Sequence, residues 1–213
     1  PIFEHQEMDF TIAEFLDRIN GDEVYSRMFD ESYGVQPGAF GISRSIAAFE
    51  RTLISGNSRF DQYEYQGDLG ALSPPEVRGK ELFFSAQTEC SSCHVPPLFT
   101  NFKFENIGLY VNYVDTGRMR ISKLNEDRGK FKVPTLRNIE LTAPYMHDGR
   151  FATLDEVIDF YSEGLQNSQT IDPLMKSVDE GGVQLSNQDK ANLKAFLLTL
   201  SDPSFLNNPD FQN

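Results

Sequence analysis

The segment Cys90-Ser91-Ser92-Cys93-His94 constrains the fold more than any other part of the chain, because C-x-x-C-H is the attachment signal for a c-type haem. Two thiols one helical turn apart can add across the vinyl groups of a porphyrin as thioethers. The histidine that follows is then held where its imidazole reaches the iron from the proximal side. The expectation is one covalently bound haem c, with Cys90, Cys93 and His94 as its attachment and ligation residues.

Rival readings of the pentapeptide fit less well. A zinc site needs a second pair of ligands, and the chain has no further cysteine and only His5 and His147 besides. A thioredoxin-type pair sits between a strand and a helix, whereas here a helical pattern precedes the motif and a Pro-rich loop, 95–98, follows it. No cysteine remains for disulfides elsewhere.

A net charge of −13 argues against nucleic acid as a partner, since phosphate binding needs a basic face. An acidic surface suits a small basic redox protein, although solubility alone also accounts for it. No apolar run is long enough to span a bilayer. Covalent haem attachment takes place outside the cytoplasm, so a periplasmic location and an export signal upstream of Pro1 are expected. The chain then reads as a processed or truncated piece of something longer.

The dominant periodicity is helical, and the expected fold class is all-α. Ile12, Phe15, Leu16 and Ile19 form one stripe ended by Gly21, a second helix is expected over 23–29, and a third over 42–54 carries Ile46, Phe49 and Leu53 on one face. Residues 58–72 read as a linker. A new unit starts at Ser73, an N-cap followed by Pro74, and runs as a helix almost to Cys90. Residues 96–143 show little regular pattern beyond hints of strands at 109–114, which suits a segment wrapped around a large ligand. Thr153 and Glu156 make a capping box for a helix with Leu154, Val157, Ile158 and Tyr161 on one face, ended by Gly164. Ser186 caps the last helix, striped by Leu193, Phe196, Leu197 and Leu200. Gly79 would let the helix before the motif cross this last helix closely, an arrangement that resembles class I cytochromes c.

Longer motifs carry a more specific likeness. The run from Phe131 through Lys132, Val133, Pro134, Thr135, Leu136 and Arg137 to Asn138 is one of them, and the run from Leu141 through Thr142, Ala143, Pro144, Tyr145, Met146, His147 and Asp148 to Gly149 is another. With Ala48-Phe49-Glu50-Arg51-Thr52-Leu53 and the later Ser58, Phe60 and Asp61, they closely resemble the bacterial di-haem cytochrome c peroxidase and MauG family over nearly the whole chain.

The resemblance implies two cytochrome-like domains with one haem each, of which this chain holds one attachment motif. Residues 1–66 would be the remainder of the N-terminal, peroxidatic domain and its linker. Residues 67–202 would be the C-terminal, electron-transferring, class I cytochrome c-like haem domain, and 203–213 a tail packing back on the N-terminal part. A second haem is expected in the full-length protein.

The family places a glutamate over the peroxidatic haem in a segment ending Glu-Met, which Glu7 and Met8 match; the plainer reading is a solvated glutamate. The second axial ligand of the haem in this chain matches Tyr161, as in the MauG branch, where peroxidases of the usual type have methionine. Met146, Met175 and Met119 are the sulfur alternatives, and a plain core tyrosine is the structural one. A phenolate lowers the haem potential where a thioether raises it. Calcium between the two domains would be held by backbone carbonyls at Thr142 and Pro144, although the asparagine that completes that site is missing here. Lys132 and Arg137 would pair with the haem propionates, unless they are ordinary surface charges. His147 reads as structural, His5 as surface, and the tryptophan some members place between the haems is absent.

The implied activity is reduction of hydrogen peroxide to water. Electrons would come from a small redox protein such as a cytochrome c or a cupredoxin and enter at this haem. The alternatives are a simple electron-transfer cytochrome c and a MauG-type enzyme oxidising residues of a partner protein. A homodimer is the assembly carried forward.

Overall fold

The computed structural model describes residues 2, 3, 5, 7–175 and 177–211. The chain divides into two compact units, Pro1–Ile54 and Ser55–Asn213, and is mostly helical.

In the first unit, α1 (Ile12–Asn20) starts at a capping box in which Thr11 and Glu14 satisfy each other's backbone N–H groups at 3.2 and 2.9 Å. Asp22 caps α2 (Glu23–Tyr33), which ends on Gly34 at φ +65°, a conformation glycine adopts without a Cβ penalty. The third helix, α3 (Ala39–Glu50), begins and ends earlier than the periodicity predicts, because Gly38 provides its N-cap and the chain turns after Glu50. At Gly41 the helix approaches Phe29 so closely that a Cβ would lie 3.0 Å from the ring, and Phe29 and Ile42 are the residues buried there. The expected apolar face of α3 is otherwise open: Ile46, Phe49 and Leu53 are exposed.

The second unit begins before the expected boundary. Residues 58–72 are not a linker throughout; they contain α4 (Arg59–Tyr65). Ser58 and Asp61 form its capping box, and Phe60 is driven into the core at 1% exposure. α5 (Pro74–Phe83) starts at the Ser73–Glu76 box with Pro74 in its first turn. The Glu76 carboxylate also receives the Arg59 fork at 2.7 and 2.6 Å, which joins the starts of the two helices.

The main packing contact is between α5 and α9 (Asn187–Leu198). At Gly79 the α9 backbone comes so near that a Cβ would lie 1.9 Å from the Asn192 carbonyl oxygen. This is the close crossing that Gly79 implied. α8 (Leu154–Glu163) packs on α9. α4, α5, α9 and the loop after the motif contribute an aromatic cluster in which Phe60–Phe99, Phe83–Phe196 and Phe83–Phe99 centroids are 5.1, 5.2 and 5.7 Å apart.

The stretch 96–143 is mostly irregular. Its regular parts are α6 (Cys90–Cys93) just before it, a two-stranded antiparallel ribbon of β1 (Phe104–Glu105) with β2 (Phe131–Lys132), and the one-turn α7 (Met119–Ser122). The strands hinted at over 109–114 do not form. That segment is instead bent over buried Asn106, which accepts from Gly108 N–H at 2.9 Å and Tyr113 O–H at 2.7 Å and donates to Ser168 and Thr170. The Tyr113 oxygen in turn accepts the Leu109 N–H at 3.0 Å, so the backbone finds side-chain partners rather than a neighbouring strand. Finally, Asp202 caps α10 (Pro203–Leu206) and accepts the N–H groups of Gly56 and Asn57, both at 2.9 Å, tying the C-terminal segment to the start of this unit.

Candidate haem-binding site

α6 is a single turn entered from Glu89 in the left-handed region and closed by the His94 N–H bonding the Cys90 carbonyl at 3.0 Å. It places both cysteines, unpaired, one turn apart. Burial pushes the Cys90 thiol up; burial, with the carboxylates of Glu105 and Asp172 adding to it, pushes Cys93 up to about 11. These are neutral thiols at pH 7, the opposite of the low-pKa thiolate a dithiol oxidoreductase needs.

The His94 ring is fixed by its Nδ1, which donates to the Phe99 carbonyl at 3.0 Å. Burial lowers its pKa, so the imidazole is neutral. The Pro134 carbonyl is a second backbone acceptor for the ring; with Nδ1 carrying the proton the lone pair is on Nε2, the atom a ligating histidine would offer to a metal. The loop that supplies the Phe99 acceptor, 95–100, is held from three sides: Arg137 donates to the Pro97 carbonyl, Thr135 to the Leu98 carbonyl, and Thr100 to the Val133 carbonyl.

Tyr161 lies on α8, half-buried, among Met146, Met175, Phe160 and Leu165. Burial raises its phenol above the ordinary value, and the two thiols of Cys90 and Cys93 are the next contributors, which places the hydroxyl near both. Its ring packs edge to face on that of Phe160, with centroids 5.1 Å apart. The residues present fit a covalently held haem: two thiols on one turn, an oriented imidazole, and a phenol within electrostatic reach of the thiols. Met146 and Met175 share the Tyr161 cluster, whereas Met119 on α7 does not.

Three relatives bear on the identity. The methylamine utilization protein MauG of Methylorubrum extorquens is 30% identical over 213 residues, covering 98% of this chain and 58% of that protein. The cytochrome c551 peroxidase of Nitrosomonas europaea is 40% identical over 122 residues, 55% of this chain and 36% of that protein. The crystal structure of a MauG-like protein associated with microbial copper homeostasis superposes with a TM-score of 0.83 at 34% identity, covering 99% of this chain and 69% of that one. The chain belongs to the di-haem cytochrome c peroxidase and MauG family. A family profile described as di-haem cytochrome c peroxidase also matches residues 1–69. The chain spans a little over half the length of the MauG proteins it matches, 58% in two cases.

The other residues singled out from the family likeness have the following surroundings. Lys132 is exposed on β2, its ammonium 5.8 Å from the Phe102 ring centroid. Arg137 is not a surface charge and has no donor left for a propionate. Its Nε bonds the Pro97 carbonyl at 2.8 Å, Nη2 bonds that carbonyl at 2.6 Å and Asp61 Oδ1 at 2.8 Å, and Nη1 bonds Ser58 and Asp61 Oδ2. All five guanidinium N–H groups are thus used. Thr142 and Pro144 are exposed in the turn before Tyr145. Among the described residues no group of three or more His, Cys, Asp and Glu side chains is placed to hold a metal ion. Glu7 is exposed in the first unit, and exposed His5 pairs with Asp9 at 3.0 Å. His147 stacks on Phe131 with centroids 3.6 Å apart.

Sequence reasoning missed one pair beside the motif. Glu105 on β1 hydrogen-bonds Asp172, and burial with that shared proton raises its carboxyl to about 7. Nothing in the spacing of these residues, 67 positions apart in the sequence, could have indicated it.

Proposed function

We propose that the chain is the haem c-binding part of a di-haem peroxidase, in which His94 and Tyr161 ligate the iron of one haem held by Cys90 and Cys93. The observation that carries the reading is a single turn that presents both thiols beside a histidine already oriented by the Phe99 carbonyl, with the Tyr161 phenol within electrostatic reach of both thiols. On this reading, residues 67–202 form a class I cytochrome c-like domain, and residues 1–66 are the remainder of the peroxidatic domain.

When bound, the haem supplies one-electron redox chemistry at its iron. The chain's own residues do the rest. Cys90 and Cys93 fix the group covalently, so it survives oxidation and reduction without dissociating. His94 gives its Nε2 lone pair because its proton is kept on Nδ1. Tyr161 offers an oxygen donor that, as the anion, favours the ferric state. Glu7 is the proposed acid and base for hydrogen peroxide at the second haem of the full-length protein, taking a proton from one peroxide oxygen and returning it to the departing one. The carbonyls of Thr142 and Pro144 are the proposed calcium donors. A small redox protein would deliver electrons, in the periplasm. No helix among the described residues is long and apolar enough to cross a membrane.

Tyrosine at 161 is compatible as well with a MauG-type enzyme that oxidises residues of a partner protein, and does not by itself identify the substrate.

Expression with haem-attachment machinery tests the reading. The expected product is the intact chain carrying one haem that resists acid-acetone extraction. Cys90→Ser and Cys93→Ser should each leave a single thioether, and the double variant none. Haem that stays covalently attached in the double variant would contradict the assignment. The isolated chain should turn over peroxide only weakly, and turnover at the rate of a full-length relative would overturn the division of roles.

A further inference from the structure

Arg137 and Asp61 form an ion pair at 5% and 3% side-chain exposure, deeper than any other pair among the described residues. Burial of this kind costs both charges their hydration, and a hydrophobic pair often does as well for stability. What the pair holds is therefore more informative than that it exists. Two of the five Arg137 donors go to the Pro97 carbonyl, at 2.8 and 2.6 Å. Pro97 lies in the loop directly after the haem motif, two residues before the carbonyl that accepts from His94.

That acceptor is held in an unusual way. Phe99 is fully buried, and its backbone is in the left-handed region at φ +54°, where a bulky aromatic residue is strained. Its ring is fixed among Phe60, Phe83 and Phe196, with the Arg137 guanidinium 5.4 Å from its centroid. Such a conformation persists only where the surroundings enforce it. Arg137 touches both the ring of Phe99 and the carbonyl two residues before it.

We propose that Arg137, anchored by Asp61, is a positioning residue for His94: it grips the Pro97 carbonyl and so holds the Phe99 carbonyl against the imidazole Nδ1–H. The inference rests on the reading of His94 as the proximal ligand. A firm bond at Nδ1 makes the imidazole a stronger donor and favours ferric iron. Loosening the loop weakens that bond and raises the reduction potential.

The test compares the haem-loaded chain with two variants. Asp61→Asn combined with Arg137→Met removes both buried charges together, and Arg137→Lys keeps Asp61 paired but gives up the planar fork on Pro97. The expected result in whichever variant folds is a shift of about tenfold toward ferrous iron, within the range of second-shell effects, or about 59 mV upward for a one-electron couple. A lower iron–histidine stretching frequency in the five-coordinate ferrous form should accompany it. A folded, haem-loaded variant with unchanged potential and stretching frequency overturns the proposal and leaves the haem reading intact. If the unaltered chain attaches no haem, or His94→Gly leaves its spectrum unchanged, the haem reading itself fails and the positioning role falls with it.

Discussion

Replacing Arg137 alone by methionine should lower the stability of the chain by about 3–5 kcal/mol, a large part of the roughly 5–15 kcal/mol that holds a typical domain together. The substitution leaves the Asp61 carboxylate in the interior with Ser58 as its remaining side-chain partner. In the native chain, burial alone would raise this carboxyl, but hydrogen bonds from Arg137 and Ser58 outweigh it and hold the pKa below the usual value. A depressed native pKa contributes stability that is present above the unfolded value, near 3.9, and is lost as pH falls through the native one. In the Arg137→Met chain the sign reverses, because burial then acts with little opposition and the folded state prefers the protonated acid. The deficit should be greatest near pH 7 and shrink toward pH 4. Urea unfolding at the two pH values measures it. A loss below about 1 kcal/mol at pH 7, or one that grows on acidification, would show that the pair is not the buried contact described here.

Gly79→Ala is expected to cost about 3 kcal/mol or more, although alanine is the better helix former by up to about 1 kcal/mol. The added methyl would meet the Asn192 carbonyl oxygen at 1.9 Å and the Phe196 Cβ at 2.8 Å. The first of these is backbone, so no rotamer change relieves the clash. α5 and α9 must move apart, and the aromatic cluster around Phe83 and Phe196 loses contact with them. At about 2–4 °C per kcal/mol for a chain of this size, the melting temperature should fall by roughly 6–12 °C. A melting temperature equal to or above that of the unaltered chain would mean that the two helices do not cross at Gly79.

These two sites also mark how much could be read before the fold was known. Gly79 was legible because a glycine inside a strong helix pattern has few explanations, and close helix crossing is the commonest. The haem motif was legible because thioether chemistry needs its thiols and histidine adjacent in sequence. Tyr161 came from the family likeness, and the apolar stripe of α8 put it on the same face as Leu154, Val157 and Ile158. Arg137 was misjudged. A charged residue announces that it needs a partner without saying which, and Asp61 lies 76 positions away in a segment read as a linker. The clue to α4 was present in the Ser58-x-x-Asp61 box, but the glycines and aspartate that follow it masked the signal. Phe99 could not have been found at all, since it acts on His94 through a carbonyl that every residue type possesses.

The most direct test of the account is the absorption spectrum of the ferric, haem-loaded chain, recorded beside that of Tyr161→Phe. The account predicts a six-coordinate haem without the weak long-wavelength band of a methionine sulfur to iron bond, converted by Tyr161→Phe to a five-coordinate, high-spin form. If the sulfur band is present and persists in Tyr161→Phe, Met146 or Met175 from the same cluster holds the sixth position, Tyr161 is a core residue, and the tyrosine-ligated reading is wrong.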